Sequence, residues 1–125
     1  MNRSVLFIGL GGFIGSVSRY WVQQYFLRLV PVGFPLGTFI VNVLGCLLIG
    51  LFLGIFERHA AVPAPWRLFL TTGFCGGFTT FSTFAYESVA LGRTGELLLL
   101  ALYAAGSLLL GMLAAFAGFW AARFI

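Results

Sequence analysis

Four apolar stretches, each long enough to cross a membrane and almost free of charge, leave this chain few solvents in which it can fold. They run over residues 5–27, 37–56, 66–91 and 96–122. About 20 apolar residues wound as a helix span the hydrocarbon core of a bilayer. Helix is the expected form, because in lipid a single segment must satisfy its backbone groups internally. Only 8% of the 125 residues are charged, against roughly a quarter in soluble domains, and mean hydropathy is +1.06. The spans and their short loops use nearly the whole length, which predicts one all-α transmembrane domain over residues 1–125.

The first loop carries Pro31, Gly33 and Pro35, the second Glu57, Arg58 and His59 with Pro63 and Pro65, and the third Gly92 to Gly95. None is long enough to hold a globular site. The basic residues are all arginine and give a formal charge of +4. Most flank apolar runs, where they anchor helix ends, and no basic stripe interleaved with exposed aromatics marks a nucleic-acid partner. The side with the N-terminus, second loop and C-terminus holds Arg3, Arg58, Arg67 and Arg123. The other holds Arg28 and Arg93, with Arg19 in or near it. This imbalance is weak, and it fits either insertion in both orientations or a slight preference for one. Asn2-Arg3 before an apolar run also resembles a signal peptide, but apolar character continues to Leu27 and the segment reads as a retained helix. Cys46 and Cys75 lie inside spans and read as small hydrophobes.

Glycine recurs at helix-packing spacing: Gly11 with Gly15, Gly50 with Gly54, and Gly106, Gly111 and Gly118 in the last span. The run Gly9 to Gly15 falls short of a dinucleotide fingerprint, since Ile14 occupies the third glycine position. Polar residues at membrane depth are costly and mark the candidate site. Asn42 either joins two helices or donates its amide to a ligand. The segment from Thr71 to Phe84 packs three glycines and six hydroxyls into fourteen residues. Such density predicts a broken helix, tolerated where freed carbonyls line a cavity or are buried in protein. Phe81 and Phe84 share a helix face three residues apart, and an aromatic ring edge can face an anion. Tyr103 and Ser107, four apart, project two hydroxyls from one face. Arg19 and Glu87 are expected to snorkel to an interface, the ordinary course for charges near helix ends.

The stretch from Gly12 to Arg19, Gly37-Thr38 with Asn42, and above all Gly76-Gly77-Phe78-Thr79-Thr80-Phe81-Ser82-Thr83-Phe84 with Glu87 resemble the Fluc (CrcB) fluoride-channel family. The resemblance covers length, span count and motif order. It implies an antiparallel, dual-topology homodimer with two fluoride pores and a structural sodium ion at the dimer centre, in the bacterial inner (plasma) membrane among lipid. The carbonyls of Gly76 and Thr79 would hold the sodium. Asn42, Phe81, Phe84, Ser82, Thr83, Tyr103 and Ser107 would line the fluoride path, and Arg19 and Glu87 would be structural. Gly111 stands where many members carry a further hydroxyl, so the polar track is expected to be shorter or completed by water.

The alternative is a small multidrug-type, proton-coupled exporter, which needs a carboxylate in its binding chamber. The first span has none, and Glu87 lies late in the third. An enzyme is not expected: there is no aspartate, the one histidine is His59 in a loop, and Glu57, Glu87 and Glu96 are scattered.

Overall fold

The computed structural model describes residues 2–30 and 33–125. Pro31, expected in the first loop, lies outside the described residues. Helix α1 (Arg3–Leu29) begins at Asn2, whose side-chain oxygen accepts from the Ser4 amide at 3.1 Å. This satisfies one of the amides orphaned at a helix start. Helix α2 covers Leu36–Arg58. Helix α3 (Ala64–Leu68) carries Pro65 in its first turn, where the missing N–H costs nothing. It runs on through a π-helical segment (Phe69–Cys75) into one last turn, α4 (Gly76–Phe78). After two extended residues come α5 (Phe81–Arg93), α6 (Leu97–Ala121) and a 3₁₀ turn at Ala122–Phe124.

Three crossings are therefore continuous apolar helices, Arg3–Leu29, Leu36–Arg58 and Leu97–Phe124. The remaining one, expected over 66–91, is two pieces. Helix α5 has 13 residues and rises only about 20 Å at 1.5 Å per residue, short of the ~30 Å hydrocarbon core. Neither piece has to span alone, because they meet end to end at the break. The polypeptide is thus a multi-pass, all-helical membrane protein whose third crossing is interrupted.

Glycines decide which helices touch. A Cβ on Gly11 would strike the carbonyl oxygen of Phe69, one on Gly15 that of Phe74, and one on Gly77 would lie 2.5 Å from the carbonyl oxygen of Gly12. These clasp α1 to the first half of the third crossing. In the same way Gly50 admits the Ala115 carbonyl and Gly118 the Leu47 carbonyl, clasping α2 to α6. Lipid provides no hydrophobic drive between helices, so such backbone contact is the chief source of packing energy. Gly106 is different: a Cβ there meets nothing nearer than the Phe39 ring at 3.5 Å.

The molecule's ends follow from two contacts. Phe7 packs edge-on against Trp66 with centroids 5.3 Å apart, and an Arg58 guanidinium nitrogen donates to the Arg123 carbonyl. The N-terminus, second loop and C-terminus therefore share one end, as an even number of crossings requires. The sides between the ends are leucine-, phenylalanine- and tryptophan-rich and face outward, with Trp21, Leu109 and Phe116 more than half exposed. In a membrane that surface is solvated by acyl chains.

Candidate functional site

Glycine at 76 and 77 and β-branched threonine at 79 and 80 make the middle of the third crossing a poor helix. A competitor for its backbone completes the break. Asn42 on α2 accepts from the Thr80 N–H at 2.7 Å and donates its amide nitrogen to the Thr80 carbonyl at 3.0 Å. The side chain thus pairs with one residue much as a neighbouring strand would. Thr79 (φ −83°, ψ 159°) and Thr80 (φ −150°, ψ 116°) are accordingly extended. In an unbroken helix the Thr80 N–H would go to the Gly76 carbonyl. That carbonyl is left with its lone pairs directed beyond the helix end, on an exposed residue.

The second half restarts on the same threonine. The Thr80 hydroxyl caps α5, accepting from the Thr83 N–H at 3.2 Å. It also lies 3.1 Å from the Thr83 hydroxyl and 3.3 Å from that of Ser82. Helix α5 thus starts, with its positive dipole end, beside the carbonyl end of α4.

The break opens onto a groove of about 650 Å³ between α2, the third crossing and α6, into which Asn42, Gly76, Thr79, Phe81, Phe84 and Ser107 all contribute. Its walls are mainly apolar, with Gly45, Cys46, Cys75, Gly111 and Met112 among them. Phe81 is 79% exposed and Phe84 is half-buried, the two rings 5.6 Å apart. The Ser107 hydroxyl is buried without a hydrogen-bond partner. A buried hydroxyl without a partner costs free energy and awaits a ligand or a water.

Tyr103 and Ser107 share a face of α6, but their hydroxyls part company. Long helical side chains lean toward the N-terminus, and the Tyr103 hydroxyl donates to Glu87 Oε2 at 2.6 Å. Glu87 Oε1 accepts from Thr38 at 2.8 Å, and Thr38 accepts from the Gln23 amide at 3.1 Å. This chain of four side chains links α1, α2, α5 and α6, with Tyr103 fully buried and Thr38 nearly so. Glu87 is therefore held inside the molecule and does not snorkel. Tyr103 also packs on Phe84, centroids 5.0 Å apart, which connects the chain to the groove wall.

The expected site residues thus fall into three groups. Asn42, Gly76, Thr79, Phe81, Phe84 and Ser107 meet at the groove. Ser82 and Thr83 gather around Thr80, and Tyr103 and Glu87 form the buried chain. Arg19, half-buried on α1, makes no side-chain hydrogen bond among the described residues and stands apart from the groove. Of the six hydroxyls counted between Thr71 and Phe84, those of Thr71 and Thr79 donate back to the Arg67 and Cys75 carbonyls of their own helix. Thr80 and Gln23 carry more of the geometry than the sequence reading assigned them. Thr80 was one hydroxyl among six, and Gln23, beside Gln24 in an apolar run, offered no sign of its partner.

Among the described residues no three histidine, cysteine, aspartate or glutamate side chains converge on a metal site. What the α4 terminus presents instead is backbone carbonyl oxygen.

A broken membrane crossing, stitched by one asparagine and opening on a groove with a spare hydroxyl and ring edges, defines a class: small multi-pass proteins that handle ions or small polar solutes at mid-membrane. Within that class the chain belongs to the CrcB family. The family model described as "CrcB-like protein, Camphor Resistance (CrcB)" matches residues 6–119. A relative from Nitratidesulfovibrio vulgaris, named fluoride-specific ion channel FluC, is 46% identical over 123 residues, covering 98% of this chain and 99% of its own. One of the same name from Chlorobium luteolum is 48% identical over 120 residues, covering 96% and 92%. Another from Prosthecochloris aestuarii is 46% identical over 120 residues, covering 96% and 93%.

Proposed function

We propose that this protein is a fluoride-selective, passive channel that lets fluoride leave the cytoplasm across the bacterial inner membrane. The observation that carries the reading is the break at Thr79–Thr80, with Asn42 fastened to it and the groove of Phe81, Phe84 and Ser107 beside it. Relatives aligned over nearly the full chain bear the name of fluoride channels.

The working unit is an antiparallel, dual-topology homodimer with two pores. Support comes from the near-balanced arginines and from a groove that is open on one side, where a second copy would complete a pore wall. Fluoride is small and strongly hydrated, so the path must replace its water with donors yet bind weakly enough to release it. One N–H of the Asn42 amide is engaged by Thr80, and the other is a donor for the ion. The Ser107 hydroxyl is a second donor, and the Ser82, Thr83 and Tyr103 hydroxyls extend the path. Phe81 and Phe84 present positive ring edges and no competing acceptor. With no guanidinium in the groove, no fixed positive charge holds the anion too tightly.

The carbonyls of Gly76 and Thr79 from both subunits would hold a structural sodium ion, whose charge would raise the potential for anions nearby. Loss of the Thr80 N–H from Gly76 leaves its oxygen unengaged by its own helix, which suits that role. Arg19 supports the fold. Glu87 does so too, and with both carboxyl oxygens tied to Thr38 and Tyr103 it lacks the freedom that proton-coupled drug export demands.

The test is efflux from liposomes holding the purified protein, followed with a fluoride electrode. A channel releases fluoride rapidly once a potassium ionophore dissipates the opposing potential, with little chloride flux. Absence of release from folded dimers would remove the reading.

A further inference from the structure

Away from the groove, the C-terminal ends of α2 and α6 form a second, charged cleft of about 360 Å³ lined by Gly54, Glu57, Arg58, Phe119 and Arg123. Its construction can be traced to one glycine. A Cβ on Gly54 would lie 2.8 Å from the Phe119 carbonyl oxygen and 2.6 Å from the Ala122 Cβ, so the two helices touch backbone to side chain there. One turn onward on each helix stand Arg58 and Arg123. Arg58 donates to the Arg123 carbonyl, one of the acceptors left open where α6 ends. That bond fixes a guanidinium at the cleft. The Arg123 guanidinium makes no hydrogen bond or ion pair among the described residues, and Glu57 makes none either. Arg67, on the same end of the molecule, is already used: it donates to the Val62 and Ala60 carbonyls at 2.9 Å and covers the Phe56 ring.

Two guanidinium groups lining one cleft repel each other when they approach, and a phosphate between them turns that repulsion into charge-assisted bonding. The cleft sits at the end of two membrane spans, at the depth of the headgroups, and its floor is apolar at Gly54 and Phe119. Its third charge is a carboxylate. We infer that this cleft binds the headgroup of a glycerophospholipid bearing a primary ammonium: the phosphodiester bridges Arg58 and Arg123, and the ammonium donates to Glu57. A free phosphate shares the first interaction but has neither ammonium nor acyl chains for the apolar floor. The inference is independent of whether the groove conducts.

Native mass spectrometry of the purified full-length protein tests it, titrating phosphatidylethanolamine, phosphatidylglycerol and inorganic phosphate separately. Expected are preferential retention of phosphatidylethanolamine, about tenfold weaker binding of both lipids in Arg123→Gln, and loss of the preference in Glu57→Gln with binding retained. The Arg123 guanidinium makes no hydrogen bond or ion pair among the described residues, and the Arg123 carbonyl that Arg58 uses is backbone, so that variant keeps the fold. Lipid occupancy unchanged in Arg123→Gln overturns the site, as does displacement of lipid by inorganic phosphate at equal concentration. Phosphatidylglycerol bound as well as phosphatidylethanolamine by the unaltered protein overturns the role of Glu57.

Discussion

Asn42 and Ser107 face the same groove and are opposites in hydrogen bonding. The carbonyl oxygen and one N–H of the Asn42 amide are committed to Thr80, whereas Ser107 is committed to nothing. Asn42→Leu strands a backbone N–H and C=O at membrane depth, which costs about 3 kcal/mol. Denaturation in detergent should show that loss, and an unchanged midpoint would mean that something else holds the break. Ser107→Ala should hold stability or raise it by about 1 kcal/mol, since an unpartnered buried hydroxyl carries only its desolvation cost, while fluoride flux falls several-fold. Equal flux would take Ser107 out of the path. Phe81→Ile should nearly abolish flux with the dimer intact, because isoleucine keeps the bulk and loses the positive ring edge. Normal flux in that variant would rule out aromatic recognition. Asn42 was visible in the sequence as an amide where lipid should be. That it fastens α2 to the third crossing was not, because its partner Thr80 lies 38 positions away.

Among the elements, α1 with the first half of the third crossing and α2 with α6 are two pairs clasped by glycine, and Glu87 ties α5 between them. The glycine spacing already pointed to packing, but it did not sort the glycines by consequence. Gly15→Val drives a side chain into the Phe74 backbone, which cannot give way, and should cost about 3 kcal/mol or more. Gly106→Ala meets only ordinary contact and replaces a poor helix former with the best, so stability should hold or rise by up to about 1 kcal/mol. Thermal unfolding of the two variants separates these outcomes, and equal effects would contradict the observed interhelical approach. Glu87→Ala removes acceptors from Thr38 and Tyr103 and should cost about 2–4 kcal/mol, loosening α5 first because its other contacts are few. Hydrogen exchange confined to 81–93 would report it. The break itself was expected within 71–84 from glycine and hydroxyl density. Its position at Thr79–Thr80 depended on where Asn42 of another helix reached.

For the whole molecule, the arginine balance and the open groove make orientation the decisive question. A cysteine placed at Gly95, in a background with Cys46 and Cys75 replaced, should be labelled by an impermeant reagent from each side in about half of the molecules, as the proposed dual topology requires. Labelling from one side alone would exclude an antiparallel dimer. The number of crossings, their helical form and the region of the break were all legible in the order of residues, because bilayer thickness and backbone hydrogen bonding act on each segment locally. Which helices pair, where the third crossing parts, and that Glu87 is gripped by Thr38 and Tyr103 were settled by tertiary structure alone. Those outcomes turn on contacts between residues far apart in sequence, and in lipid, where apolar surface is everywhere alike, backbone approach and scarce polar partners do the selecting.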